Sequence, residues 1–279
     1  MPDRPDPQTY RELVRQALAE DIGAGDVTTR AVVPADVRGE GVFVAKQRLV
    51  LAGIDVAREV FAQVDPALTF DVRIADGEVC VPGASIAAVR GSAASLLTAE
   101  RTALNLLQAL SGIATLTRAY VDAARGGVRI LDTRKTAPMQ RAIAKYAVRC
   151  GGGANYRTGL FDGVLVKDNH IRIAGGIANA VRHVRAAGIT LPIEVEAQSL
   201  AQVDDALAAA ADVIMLDNFD DEMTRVAVER IAGRARVELS GNMTIERVAR
   251  LAGSGADDIS VGALTHSAPA ADISFEIDT

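Results

Sequence analysis

Six short apolar runs in the second half of the chain, each breaking off into charged or glycine-rich residues, restrict the fold more than any other feature. They read VRILDTRKT (128–136), GVLVKDNH (163–170), LPIEVEAQS (191–199), DVIMLDNFD (212–220), RVELSGN (236–242) and DISVGAL (258–264). Runs this rich in β-branched residues fit buried strands, and the segments between them carry helical periodicity. Most later starts lie roughly 22 residues apart, too close for separate domains and suited to βα repeats. In a parallel β/α barrel the residues just past each strand share one rim. That rim would hold Arg134, Lys135, Lys167, Asn169, His170, Glu196 and Asp217, with glycine turns at Gly241 and Gly262. Cations, carboxylates and glycines gathered there point to an enzyme that handles a polyanion with a metal. Six clear strands fall short of a regular eight-stranded barrel, which leaves a smaller or irregular one open.

The first half has a different rhythm. Residues 9–20 place Tyr10, Leu13, Val14, Ala17 and Leu18 on one helical face, and the helix runs out in EDIGAGDVTT. Strand-like stretches follow at 39–53, 68–80 and 84–93, with a helical pattern at 54–64 and turn signals at Asp76-Gly77 and Pro82-Gly83. Together they predict a small α/β sandwich over residues 1–103. A long helical stretch from Ser95 to Ala123 has almost no polar stripe, so it is expected to be buried, with Gly112 marking a break or a close contact between helical segments. After Pro269 the tail ADISFEI alternates as an edge strand and is expected to return to the N-terminal sheet. The expected division is therefore 1–103 joined by 270–279, and 104–269 as the barrel.

Composition excludes several classes. The net charge is −6 and the pI near 5.2, which argues against a general nucleic-acid surface. Trp is absent and aromatics total 4%, too few for a base-stacking platform. No apolar run reaches the length of a membrane span, about 18 residues, so no membrane partner is expected. The opening MPDRPDPQTYRELV lacks a signal-peptide core and points to the cytoplasm. Cys80 and Cys150 read as buried reduced thiols, because two isolated cysteines lack the clustered spacing of a zinc site.

The strand ends carry the chemistry. Arg134 offers a planar fork for carboxylate or phosphate, and Lys135 beside it a compact charge. The glycine tract of AVRCGGGANYRTGL (147–160) allows close backbone approach and leads into Tyr156 and Arg157, a hydroxyl or stacking ring followed by a bidentate cation. Lys167, Asn169 and His170 put a charge, an amide and an imidazole at one strand end. With three histidines in the chain and no HExxH, a histidine zinc site is disfavoured. Glu196 and Asp217 follow adjacent strands and suit Mg²⁺ whose shell substrate phosphates complete. Glu194 shares a face with Glu196 under simple alternation and becomes the inward acid if the register shifts. Ser240-Gly241 and Ser260 to Gly262, after the last two strands, can cradle a phosphate with backbone N–H groups.

With these residues assembled, the chain resembles the quinolinate phosphoribosyltransferase family over nearly all of its length. The strings that carry the resemblance are EDIGAGDVTT, TAERTALNLLQALSGIATLT, ILDTRKTAP, KYAVRCGGG, GLFDGVLVKDNHI, IEVEAQSL, IMLDNF and ISVGALTHS. The resemblance implies an N-terminal α/β sandwich plus the irregular seven-stranded α/β barrel of the type II phosphoribosyltransferases. It implies transfer of phosphoribose from phosphoribosyl pyrophosphate to quinolinate with loss of CO₂, as in NAD biosynthesis. The implied cofactor is Mg²⁺ on Glu196 and Asp217, and the implied assembly is a homodimer in which Arg101 is contributed across the interface. Arg134, Arg157 and Lys167 match substrate-carboxylate contacts. Lys135, Asn169 and His170 match groups around the ribose-phosphate substrate, and Ser240, Gly241, Asn242 and Gly262 match the 5′-phosphate loops. The residues expected to do catalysis are Lys135, Lys167, Glu196 and Asp217.

Three positions depart from the family pattern. Tyr156 stands where His is usual, Met139 where Gly is common after the TAP segment, and Asn242 where the pattern reads SGG. Tyr156 keeps a hydroxyl but cannot become a cation near neutral pH, which bears on acceptor choice. The neighbouring reading is therefore the same transfer onto another pyridine or aromatic nitrogenous acid. A sugar-phosphate aldolase or isomerase would instead use Lys135 or Lys167 as a Schiff base. A non-catalytic phosphometabolite binder would bind without turnover.

Overall fold

The computed structural model describes residues 3–278. In chain order its first elements are α1 (Gln8–Ile22), α2 (Val27–Val32), β1 (Arg38–Ala45), β2 (Leu49–Val50), α3 (Ile54–Val64), β3 (Thr69–Val72), β4 (Val79–Cys80), β5 (Ser85–Ser92) and α4 (Ala93–Ala124). Then come β6 (Arg129–Leu131), α5 (Arg141–Cys150), β7 (Val164–Val166), α6 (Asp168–Ala174), α7 (Ile177–Ala186), β8 (Ile193–Ala197), α8 (Leu200–Ala208) and β9 (Val213–Asp217). The last are α9 (Asp221–Ile231), β10 (Arg236–Ser240), α10 (Ile245–Leu251), β11 (Asp258–Ser260), α11 (Ala263–His266) and β12 (Ile273–Asp278). Residues up to Arg118, Thr136–Gly152 and residues from Leu264 onward form one unit; Ala119–Lys135 and Gly153–Ala263 form the other. The expected sandwich and tail include residues 1, 2 and 279, which lie outside the described residues. Among the described residues no helix is long and apolar enough to cross a membrane.

The first unit is built on a four-stranded antiparallel sheet in the order β12-β1-β5-β3. The tail strand β12 pairs with β1 in register Phe43↔Phe275, and the two rings meet with centroids 4.6 Å apart. Phe61 of α3 packs edge-on against Phe43 at 5.9 Å, so strand, tail and helix share one aromatic core. Gly41 must lack a side chain, because a Cβ there would sit 2.1 Å from the Phe275 ring. Asp76, buried, accepts from the N–H groups of Gly53 and Ile54 at 3.0 and 3.1 Å and caps α3, and the Tyr146 hydroxyl donates to it at 2.8 Å. Cys80 and Cys150 are free and buried, and burial pushes their thiols up to about 11 and about 12. The helix α4 runs for 32 residues unbroken, so of the two roles expected for Gly112, a break or a close contact between helical segments, there is no break. The glycine instead admits the backbone of the following tail: a Cβ would lie 2.1 Å from the Pro269 carbonyl oxygen.

In the second unit all six apolar runs are strands, hydrogen-bonded in parallel in the order β6-β11-β10-β9-β8-β7. Their centres are buried, with Val195, Ile214 and Ile259 at 0% exposure. Sequence neighbours β6 and β7 fall at opposite edges of the six-stranded sheet. Residues after Gly152 make contacts at each of those edges. Ala154 makes a parallel bridge to Leu131, its N–H donating to the Ile130 oxygen at 2.8 Å. Beyond it Arg157 donates to the Gly163 oxygen at 3.1 Å, and the Tyr156 hydroxyl stands 3.5 Å from the Val164 oxygen at the start of β7. Six regular strands are thus described, with an irregular segment touching both edges.

Candidate active site

Parallel strands all end on one side of their sheet, so the C-terminal ends of β6 to β11 bring together residues far apart in sequence. At β6, Asp132 is fully buried while Arg134 is half-buried and Lys135 exposed. The Thr133 hydroxyl accepts the Lys135 N–H at 3.1 Å and tightens the turn that presents the two cations.

At β7, Lys167 ends the strand and becomes the cap of α6, whose seven residues follow directly. Its N–H donates to His170 Nδ1 at 3.0 Å, half of a capping box at the start of α6. Asn169 uses its side-chain oxygen to accept from Arg172 at 2.9 Å. All three residues are exposed.

The Lys167 ammonium lies 3.7 Å from Glu196 Oε2, longer than a direct hydrogen bond. Glu196 is 8% exposed, and burial raises its carboxyl above the ordinary range. Lys167 opposes that rise, while the negative charges of Asp217 and Asp168 add to it. Two carboxylates on neighbouring strand ends therefore share one field. Asp217 accepts from Asn218 at 2.9 Å.

From there the rim continues without interruption. The Asn218 N–H donates to the Ser240 oxygen at 3.0 Å, and Asn242 reaches the Asn218 side-chain oxygen at 3.4 Å. Gly241 has φ +91°, and a Cβ on it would meet Asn218 at 2.2 Å, so only glycine fits. Asn242 at φ +47° also lies in the left-handed region, which asparagine tolerates better than most residues. Arg247 of α10 holds this corner from behind, donating to the Gly241 oxygen at 2.8 Å and to the Phe219 oxygen. Asn218, Phe219, Asp220, Asp221, Asn242 and Arg247 line an open pocket of about 360 Å³ here. Gly262 follows β11, whose next residue, Val261, donates to the Leu131 oxygen at 2.9 Å.

The structure thus joins Lys167 to Glu196, and Asp217 to the Ser240–Asn242 turn. Tyr156, the residue before Arg157, is tied to the end of β6 through Asp132. Tyr156 is pushed far above its ordinary range, first by burial and then by the nearby Glu194 charge, so its hydroxyl keeps its proton. Arg101 lies on the exposed side of α4 and Met139 before α5, both in the other unit. Met139 has φ +65°, a left-handed backbone that suits glycine.

Three features escape sequence reasoning. In the sequence Asp132 is one more polar residue after a strand. Glu238, on β10, is 2% exposed and is raised well above the carboxylate range by burial and by its neighbour Glu194. Arg247 sits on a helix whose sequence shows only alternating charge. Glu194, the alternative inward acid, and Glu196 are both buried on β8.

Among the described residues no group of three or more His, Cys, Asp or Glu is arranged to hold a metal. Glu196 and Asp217 nonetheless offer two hard oxygen donors on adjacent strand ends. That set fits Mg²⁺, which binds through one or two carboxylates and leaves the remaining positions to phosphates and water.

An open parallel sheet whose strand ends present cations, paired acids and a glycine turn defines an α/β enzyme for a phosphorylated substrate. The chain matches the models named quinolinate phosphoribosyl transferase, N-terminal domain, over residues 26–111, and quinolinate phosphoribosyl transferase, C-terminal domain, over residues 113–276. It is 47% identical over 274 residues to the carboxylating nicotinate-nucleotide pyrophosphorylase of Mycobacterium leprae (strain TN), covering 96% of each chain. It is 45% identical over 289 residues to the chloroplastic enzyme of that name from Oryza sativa subsp. japonica, covering 96% of this chain and 78% of the relative. Among solved structures, NadC from Streptococcus pyogenes superposes with a TM-score of 0.95 at 40% identity, over 99% of both chains. The chain belongs to the quinolinate phosphoribosyltransferase family.

Proposed function

We propose that this chain transfers phosphoribose from phosphoribosyl pyrophosphate to quinolinate, releasing pyrophosphate and CO₂ and forming nicotinate mononucleotide. The observation that carries the reading is the single rim on which Lys167 faces Glu196, Asp217 adjoins the Ser240–Asn242 turn, and Arg134 and Lys135 leave β6. The substrates divide that rim by charge. Arg134, Arg157 and Lys167 take the acceptor's two carboxylates, with Tyr156 a neutral wall beside them. Ser240, Gly241, Asn242 and Gly262 take the 5′-phosphate, and Lys135, Asn169 and His170 take the pyrophosphate side.

In the transfer, the bond from the anomeric carbon to pyrophosphate breaks as the pyridine nitrogen forms its bond to that carbon. Lys135 stabilises the departing oxygens, while Glu196 and Asp217 orient the ribose hydroxyls. Fixed charge and orientation supply the rate, and no covalent nucleophile is required. The quaternised ring then accepts the electron pair left when the C2–carboxylate bond breaks, and C2 takes a proton. Mg²⁺ bound by Glu196 and Asp217 would neutralise phosphate charge.

In the architecture that goes with this reading, the segment around Ala154, bonded to β6 and touching β7, acts as the seventh strand of an irregular barrel. Arg101 completes the acceptor site of a partner subunit in a homodimer. The test supplies phosphoribosyl pyrophosphate, Mg²⁺ and quinolinate, and follows pyrophosphate and ¹⁴CO₂ from the labelled 2-carboxylate. Both products should appear in equal amounts. A chain inert to quinolinate but active on nicotinate or another pyridine acid establishes the second reading, which Tyr156 at the usual His position favours.

A further inference from the structure

We infer that Asp132 is the positioning residue that aligns the two arginine-bearing segments of the acceptor site. It is 0% exposed at the end of β6, yet both of its carboxylate oxygens are engaged. Oδ2 accepts from Asn155 Nδ2 at 2.6 Å, and Oδ1 accepts from the Tyr156 N–H at 3.0 Å. Its own N–H donates to the Ala154 oxygen at 3.1 Å. Three consecutive residues of the irregular segment are therefore held by one residue of the strand.

The anchor and the last residue it holds each stand just before an arginine. Arg134 comes two residues after Asp132, and Arg157 comes one residue after Tyr156. Glycines at 151–153 leave the preceding chain with little intrinsic preference for one path. Without a fixed point, the distance between the two guanidinium groups would vary with that path. A rigid diacid needs the distance constant, and a buried carboxylate accepting a backbone and a side-chain donor supplies the fixed point. Asparagine is a poorer replacement. Its amide offers one acceptor oxygen, and its NH₂ faces either the Tyr156 N–H, donor against donor, or Asn155, which must then turn its own amide to present oxygen.

The inference rests on the acceptor site proposed above, and kinetics of the full chain separates the two. Quinolinate and phosphoribosyl pyrophosphate are varied independently for the parent chain, Asp132→Asn and Asn155→Ala, with a thermal melt of each. Asp132→Asn should raise the quinolinate KM about tenfold to a hundredfold while the phosphoribosyl pyrophosphate KM stays within about twofold. Asn155→Ala, which removes one of the accepted bonds, should shift the quinolinate KM about threefold in the same direction. An unchanged quinolinate KM in Asp132→Asn overturns the inference, as does an equal loss for both substrates with a lowered melting temperature, the mark of a general brace. If Asp132→Asn does not fold, Asn155→Ala decides alone, and an unchanged quinolinate KM there overturns it. A parent chain that does not turn over quinolinate overturns the functional reading and this inference together; an active parent without the selective loss overturns only this one.

Discussion

The two ends of the parallel sheet use the same residue types in opposite ways. At the strand starts, acids close bonds. Asp258 is 3% exposed and binds Arg129 at 2.7 Å and Arg236 as well, Asp212 accepts the Ile193 N–H at 2.8 Å, and Asp257 accepts the Val237 N–H at 2.8 Å. At the strand ends, Lys167 and Glu196 stand 3.7 Å apart, and Glu196 stays raised by burial despite the lysine. Charges satisfied within the protein hold strands in register. Charges left at a longer distance remain available to a ligand that brings its own charge. Apart from Asp132, an acid at the strand ends that is closed within the protein, the difference assigns stability to one end and chemistry to the other.

The largest expected effect tests the chemical end. Lys167→Ala or Glu196→Gln should lower kcat/KM for the proposed transfer by about 10²–10³, the scale of losing one preorganised electrostatic contact, with little change in melting temperature. Steady-state kinetics beside a thermal melt checks this. A large fall in melting temperature at unchanged kcat/KM would erase the contrast.

The complementary change tests the other end. Asp258→Ala leaves Arg129 and Arg236 without their shared acid. Because both arginines are half exposed, the loss should be about 2–3 kcal/mol, below that of a wholly buried pair. Urea unfolding measures it, and kcat per folded molecule should stay as it was.

Between the two ends lies Glu238, and it sharpens the comparison through pH. Its folded pKa is raised by burial and by Glu194, so the native state holds a proton that the unfolded chain has lost. Stability should therefore fall as pH rises from the ordinary carboxylate range toward the folded value. Glu238→Gln should flatten that decline and raise the melting temperature more at pH ~8 than at pH ~5. A parallel pH dependence in both proteins would show that Glu238 is not its source.

Legibility in the sequence depends on range. Each strand is readable because a β-branched run stops abruptly at polar residues, as in ILDTRKT and VLVKDNH, and the stop itself marks the rim. Asp132 is not, since its partners lie 23 and 24 residues away and only the fold brings them near. Glu238 has the pattern of an outward polar residue in an alternating strand, although both sheet faces there are covered. Gly112 reads as either a helix break or a contact between helical segments, because its actual reason, the passing Pro269 carbonyl, comes from the far end of the chain.

The smallest effect concerns Met139. Its φ of +65° places a long side chain on a left-handed backbone, and the residue is 72% exposed, so little packing offsets the strain. Asn242 also replaces a glycine of the family pattern at positive φ, but asparagine bears that conformation more easily than methionine. Met139→Gly should therefore stabilise the chain by about 1 kcal/mol, less the entropy glycine adds to the unfolded state, and Asn242→Gly by a few tenths at most. Denaturant midpoints compare them directly. Equal gains would mean that the conformation, rather than the residue placed in it, decides the cost. A gain at Met139 alone would place the relieved strain beside the cationic segment after β6, leaving the phosphate turn as it was.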